Sequence, residues 1–351
     1  MNLTAVLYAL ASAVLFGVST PAAKALLGST HPAILAGLLY CGAGLGAAVL
    51  RRTMRALSSG NHATEAPLRR ADLPWLAGAI VAGGIIGPLL LMLGLERTTA
   101  GAASLMLTLE GVATALIAWF VFHENFDRRI AIGMGCLLAG AAVLSWSGTP
   151  SLSGFIGPLA IVGACMAWGL DNNLTRKVAL ADPLQIVALK GLIAGPVNIL
   201  LGVAVGGTLP SGDAIGWSAA VGFLGYGVSL AFFVLALRHL GAARTGAYFS
   251  TAPFFGAVAA VLLLGEPVTF QLLIAATLMA GGVWLHVTER HEHEHVHAPL
   301  AHEHAHHHDE HHQHAHAPAD PPGEPHSHWH QHAHLVHNHA HVPDAHHGHL
   351  H

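Results

Sequence analysis

Up to about residue 288 the chain is a succession of long apolar runs separated by short polar or basic breaks. The runs fall at 3–27, 32–50, 74–95, 100–122, 130–146, 155–176, 183–206, 214–237, 243–264 and 270–287. A helix rising 1.5 Å per residue over such a run can cross about 30 Å of hydrocarbon, the shorter runs with little tilt. The pattern predicts an all-α integral membrane protein with ten transmembrane helices. The first run opens on MNLT without Lys or Arg and is followed at once by equally apolar runs, so it reads as a span and not a cleaved leader.

One stretch recurs. Residues 98–124 map onto 240–266 at an offset of 142, pairing Leu95 with Leu237, Ala100 with Ala242, Thr108 with Ser250, Ala115 with Ala257, Glu124 with Glu266 and Gly140 with Gly282. A gapless register that reaches into the neighbouring helices on both sides suggests internal duplication. The chain then divides into a first five-helix repeat at 1–147, a second at 148–290 and a tail at 291–351. Because five is odd, the second copy enters the membrane from the opposite side, and inverted repeats of this kind place a substrate site near the midplane where the halves meet.

The basic residues orient the spans. Arg51, Arg52, Arg55, Arg69 and Arg70, then Arg128 and Arg129, Arg176 and Lys177, Arg238 and Arg244, and Arg290 all follow even-numbered spans, whereas Arg97 follows an odd one. Cytoplasmic loops accumulate Lys and Arg, so both termini are expected in the cytoplasm, with the protein multi-pass in the inner (plasma) membrane. The composition agrees: 53% of the 351 residues are hydrophobic and 10% charged. Cys41, Cys136 and Cys165 all lie inside apolar runs and are expected to pack there. The formal charge of -4 says little, because 30 histidines sit near their titration range.

Few polar groups interrupt the runs. Glu110 lies near the middle of its run, where a lone carboxylate costs about 2.5 to 3.5 kcal/mol and normally faces a protein interior or a wet cavity. With no basic residue placed to meet it, its partner must be a tertiary contact, a proton or a ligand, and it is the first candidate for coupling or for binding a cationic group. Asp171 and Lys190 flank the short loop between the sixth and seventh spans, which suits either a hairpin ion pair or a substrate contact. Tyr40, Trp168, Asn172, Asn173, Tyr226, Tyr248 and Ser250 could line the same cavity. Lys24 reads as a snorkelling residue. Gly and Pro inside several runs, as in GGIIGP ending at Pro88, at Pro196 and at Pro253, mark kinks or packing notches. Small residues one turn apart, Ala131, Gly135 and Ala139 among them, mark close helix contacts within or between subunits, which leaves a homodimer open.

From residue 291 the composition changes abruptly. Twenty-five of the 30 histidines lie there, mostly in H-x-H pairs among Pro, Gly and acids. Such a segment buries no core and is expected to be disordered. His291, His293, His295, His297, His302, His304, His306, His307, His308, His311, His312, His314 and His316 are the candidate ligands for a divalent ion such as Zn, Ni, Co or Cu.

Two inverted halves of five helices, each with a helix closing on Glu (FHENF at Glu124, LGEPVTF at Glu266), resemble EamA-type transporters of the drug/metabolite transporter superfamily. FGVSTPAAK (16–24) and WGLDNNLTRK (168–177) look like that family's first-helix signature in each half, and Pro183 with Lys190 resembles its second-helix pattern. Pro253 fits the family's mid-helix proline, whereas Glu110-Gly111 departs from it. The resemblance implies secondary transport, frequently export, of small metabolites or drugs through a central cavity between the halves. The tail is outside the family pattern. The expected function is therefore a secondary-active carrier of a small molecule across the bilayer, bearing a cytoplasmic metal-binding tail. A divalent metal carrier and a membrane-anchored metal store or sensor are the rivals. No enzyme motif appears in the spans, and nothing points to nucleic acid.

Overall fold

The computed structural model describes residues 3–57, 67–122, 128–146, 152–178 and 181–288, together with the backbone of 291–297, 300–306, 326–332 and 335–341. Up to residue 288, every regular element among the described residues is helical. The helices are α1 (Leu3–Leu27), α2 (Pro32–Leu57), α3 (Leu73–Ala79), α4 (Gly87–Arg97), α5 (Ala100–Met106), α6 (Leu109–Phe122), α7 (Arg128–Ser145), α8 (Leu152–Arg176), α9 (Pro183–Ala204), α10 (Gly212–Gly222), α11 (Ser229–Phe249), α12 (Ala252–Leu264) and α13 (Phe270–Val287). A short 3-10 turn, Arg70–Asp72, precedes α3. Two π-helical segments, Ile80–Ile86 between α3 and α4 and Phe223–Val228 between α10 and α11, keep those spans continuous.

Among the described residues eight spans are long and apolar enough to cross a membrane: Leu3–Leu27, Pro32–Ala56, Arg70–Arg97, Ala100–Val121, Arg128–Ser145, Gly154–Thr175, Pro183–Ala204 and Gly212–Ala236. The last two predicted spans are shorter apolar helices, Ala252–Leu264 and Phe270–Leu285. The predicted start of the ninth span at residue 243 is corrected. α11 continues through the expected loop to Phe249, because LRHLGAAR is mostly Leu, Ala and Arg, good helix formers, and holds no proline. The break comes instead at 250–251, where Pro253 in the first turn of α12 lacks the N–H that a continuing helix would need. A similar break, at Leu107 and Thr108, divides the fourth span into α5 and α6.

Helix pairs pack antiparallel, and the contacts show it. Along α2 and α9, Ile34 meets Gly202, Gly37 meets Ile199 and Gly44 meets Gly191, with Arg51 at the far end reaching Asp182. A Cβ on Gly191 would lie 2.5 Å from Tyr40 O and from Gly44 Cα, so the two backbones touch there because neither residue carries a side chain. α7 and α13 run the same way, from Arg129 on Thr288 through Gly140 on Met279 to Gln271 on Val143 and Trp146. In α1 and α11, Ser12 and Ser229 each donate to the other's carbonyl, at 2.8 and 3.0 Å, an exchange that leaves both hydroxyls satisfied away from water.

A buried core of Leu91, Met92, Leu95, Leu105, Leu137, Ile161 and Met279 joins α4, α5, α7, α8 and α13. Outside it, Leu3, Val49, Leu159, Leu200, Trp217, Leu262 and Phe270 are exposed, an apolar exterior that suits lipid and not water. Helix ends are closed by distant side chains. Glu266 accepts hydrogen bonds from Ala100 N at 2.6 Å and Gly101 N at 2.8 Å, capping α5. Lys24, expected to snorkel, instead donates to the Leu95 carbonyl near the end of α4. Asp182 caps α9 and takes Arg51 Nε at 2.6 Å, while Arg51 also reaches Gln185 at 3.0 Å.

In the tail only short stretches of backbone are described. Its backbone forms strands His291–His297 and Leu335–His341, paired antiparallel, and Leu300–His306 and His326–His332, likewise paired. The H-x-H alternation has the two-residue period of a strand. His307, His308, His311, His312, His314 and His316 lie outside the described residues. For His291, His293, His295, His297, His302, His304 and His306 only the backbone is described.

Candidate functional site

A cavity of about 310 Å³ opens between elements from both halves of the chain. Its walls are Phe16 of α1, Tyr40 and Ala43 of α2, Asn172 of α8, Val187, Lys190 and Gly191 of α9, Gly225 and Tyr226 of the second π segment, and Ser229, Leu230, Phe233 and Phe249 of α11. Five of these rings form a continuous chain. Tyr40 lies 5.9 Å from Tyr226, Tyr226 is edge-on to Phe16 at 5.6 Å, Phe16 lies 5.3 Å from Phe249, and Phe249 is edge-on to Phe233 at 5.0 Å. Such a chain offers apolar faces with hydroxyls at one end.

The polar side of the cavity is built around the first π segment. A π turn widens the helix and frees carbonyls from their usual i+4 donors. Here Gly83 O accepts from Tyr40 OH at 2.6 Å and from Trp168 Nε1 at 3.0 Å, and Gly84 O accepts from Asn198 Nδ2 at 2.9 Å. Gly83 also makes room for Asp171, since a Cβ there would fall on the Asp171 carboxylate. Asp171 is thereby held beside the π segment, where Thr175 Oγ1 donates to it at 2.8 Å and Lys190 Nζ lies 2.6 Å from both its oxygens. The side chains of Lys190 and Asp171 are 15% and 10% exposed, so the pair is largely withdrawn from solvent, and of the two Lys190 lines the cavity.

Glu110 meets a tertiary contact, one of the three kinds of partner expected of it. The break at Leu107 and Thr108 puts it in the first turn of α6, at the positive end of that helix's dipole, which favours a negative charge. Its carboxylate accepts from Asn172 Nδ2 at 2.8 Å, and the same amide nitrogen lies 3.2 Å from Thr114 Oγ1. It does not line the cavity. Asn172 does, and Glu110 lies behind it, half-buried. The cost of a mid-span carboxylate is thus offset by a helix start and an amide donor, neither of which its flanking sequence declares.

The structure brings Tyr40, Asn172, Lys190 and Tyr226 onto the wall and places Asp171 and Glu110 one contact behind it. Trp168 is buried on Gly83 O and does not reach the cavity. Asn173 ties α8 to α6, donating to Thr114 O at 3.1 Å and Gly169 O at 2.8 Å. Tyr248 and Ser250 flank the break before α12 and are not among the lining residues, because α11 turns Phe249 inward at that point instead. Sequence reasoning missed Phe16, Phe233, Phe249 and Ser229. An aromatic residue at a helical repeat looks the same whether it faces lipid, core or cavity, although Phe16 opens the FGVSTPAAK motif and could have been singled out by it. Among the described residues no three His, Cys, Asp or Glu come together as a metal site.

Residues 3–146 and 155–288 each match the EamA-like transporter family. An uncharacterised transporter of Methanothermobacter thermautotrophicus is 27% identical over 285 residues, which cover 78% of this chain and 82% of that one. A "probable amino-acid metabolite efflux pump" of Salmonella typhimurium is 26% identical over 204 residues, 54% of this chain and 67% of the relative. Over a shorter stretch of 75 residues, 21% of this chain and 63% of the relative, a "probable 4-amino-4-deoxy-L-arabinose-phosphoundecaprenol flippase subunit" of Pseudomonas paraeruginosa is 41% identical. A crystal structure covering 80% of this chain and 95% of its own superposes with a TM-score of 0.59 at 18% identity, which shows a shared fold.

Proposed function

We propose, from the premise that this chain belongs to the EamA-like transporter family, that it is a secondary-active exporter of a small metabolite or drug across the inner membrane. The observation that carries this reading is the cavity itself, walled by α1 and α2 from one half and α8, α9 and α11 from the other, with a polar cluster at one side and aromatic rings at the other. The Salmonella relative, named for efflux, supports the outward direction.

Ten helices in two inverted repeats, 1–147 and 148–290, fit the packing. α2 lies antiparallel on α9 and α7 on α13, and each pair joins helices that correspond between the halves. Both π segments fall at the same place under the 142-residue offset, to within one residue. A duplication whose matching helices run antiparallel is what an inverted repeat requires, and it supports alternating access by movement of one half against the other. Both termini are taken as cytoplasmic, on the side of the basic exits. Glu110 serves as the coupling group, exchanging a proton as Asn172 rearranges on the cavity wall.

The tail is proposed to hold divalent metal (Zn, Ni, Co or Cu) as an appendage separate from the transport path. The metal-carrier alternative lacks support in the spans, where the described residues bring no ligand group together. A growth screen of an overexpressing strain against amino acids, nucleobases, drugs and divalent metals, followed by uptake into inverted vesicles, tests the reading. Chain truncated after residue 290 is expected to keep the resistance and solute uptake of the full chain while losing zinc retained at micromolar concentration and pH 7.5. Loss of metal tolerance and of metal flux on truncation, with no organic solute moved, would favour the metal carrier instead.

A further inference from the structure

We propose that the cavity selects a small organic anion, its oxyanion head taken by Lys190 and its flat or branched apolar body laid on the aromatic chain. This names the substrate class for the transport site proposed above and rests on that reading. Lys190 is the one cationic side chain among the described lining residues. Its ammonium has three donors, and Asp171 offers it two oxygens at 2.6 Å. At least one donor remains for a second acceptor, and in a site this dry an oxyanion is the partner that stabilises it most.

The two members of the pair are not equally free to respond. Asp171 is fixed by Thr175 and by the close approach of the Gly83 backbone. Lys190 carries its charge on a flexible four-carbon stem. It is therefore the member that can turn toward the cavity, while Asp171 keeps it neutralised until a ligand arrives.

The acids, by contrast, are not presented to a ligand. Asp171 faces Lys190, and Glu110 sits behind Asn172, whose amide nitrogen is engaged by Glu110 and Thr114. A cationic head would find both carboxylates already engaged and would be repelled by Lys190. Tyr40, Tyr226, Phe16 and Phe249 supply stacking faces for the rest of the molecule, which argues for an aromatic or branched body over a sugar-like one.

Calorimetric binding to the purified full chain in lipid nanodiscs tests this with four probes that share one body: 3-phenylpropionate, 3-phenylpropylamine, 3-phenylpropan-1-ol and phenylalanine. The propionate is expected to bind at least tenfold tighter than the amine and the alcohol. Asp171→Asn removes the competing counter-ion and is expected to tighten propionate binding several-fold. Asp171→Asn/Lys190→Gln keeps a neutral hydrogen-bonded pair and is expected to bind the acid no better than the alcohol. A purely structural ion pair would not move the two variants in opposite directions. Preference for the amine or for phenylalanine, or an acid preference that survives in the double variant, overturns the anion assignment alone. Failure of all four probes to bind overturns it together with the cavity as a substrate site.

Discussion

Glu110→Gln is expected to lower solute transport about ten- to a hundredfold with little loss of folded protein. The glutamine keeps an oxygen where Asn172 Nδ2 donates at 2.8 Å, so the α6 to α8 contact survives. What disappears is the exchangeable proton and the charge, and hydrogen bonds to charged groups in such sites are worth about 1.5 to 3 kcal/mol, the size of the expected rate effect. The pH dependence of transport should flatten in the variant as well. Uptake into vesicles at several pH values, normalised to protein in the membrane, reads both effects. Unchanged rate and unchanged pH dependence would reduce Glu110 to a structural acceptor for Asn172.

Gly83→Ala carries the largest expected cost to the fold. A methyl group at that position occupies the space of the Asp171 carboxylate, so Asp171 must leave Lys190 or the π segment must shift away from Tyr40 and Trp168. Breaking a buried ion pair by displacing one partner costs about 3 to 5 kcal/mol, and one displaced hydrogen bond adds about 1 kcal/mol. Thermal unfolding followed by size-exclusion chromatography in detergent should show Gly83→Ala losing most of its monodisperse peak. Adding Asp171→Gly and Lys190→Met, which removes the charges together with every Asp171 side-chain atom that the new methyl group would strike, should restore part of it. An alanine variant as stable as the parent would mean that Asp171 does not depend on the gap at Gly83.

Much of the fold was legible in the sequence because hydrocarbon is an exacting solvent. Apolar runs of span length had to be helices, and some boundaries followed from short breaks that end at a proline, as at 28–31 before Pro32 and 177–182 before Pro183. Where local chemistry favoured a continuing helix over the hydropathy minimum, as at Arg238 to Arg244, the reading failed and α11 ran on to Phe249. The π segments gave no signal beyond paired glycines, since a single widened turn does not change composition. The candidate site was half legible. Charges inside spans announced Glu110, Asp171 and Lys190, because each is costly enough to need a reason. Their partners were not readable, since the Asn172 donor to Glu110 and the Gly83 gap beside Asp171 exist only once α6, α8 and the π segment are packed together. The aromatic wall was missed for the opposite reason: Phe16, Phe233 and Phe249 cost nothing in a span, so their presence announces nothing.

The repeat at 98–124 and 240–266 was visible in the residues, yet its consequence lies in the packing of α2 on α9 and of α7 on α13. If those halves rock about a shared cavity, one wall position must meet water from each side in turn. A chain with Cys41, Cys136 and Cys165 replaced and Leu230→Cys introduced on the cavity wall can be treated with a membrane-impermeant thiol reagent in right-side-out and in inverted vesicles. Labelling of the introduced thiol in both preparations, and its suppression in both by transported solute, is the result expected of a carrier with alternating access. Labelling confined to one preparation, or absent from both, would contradict it.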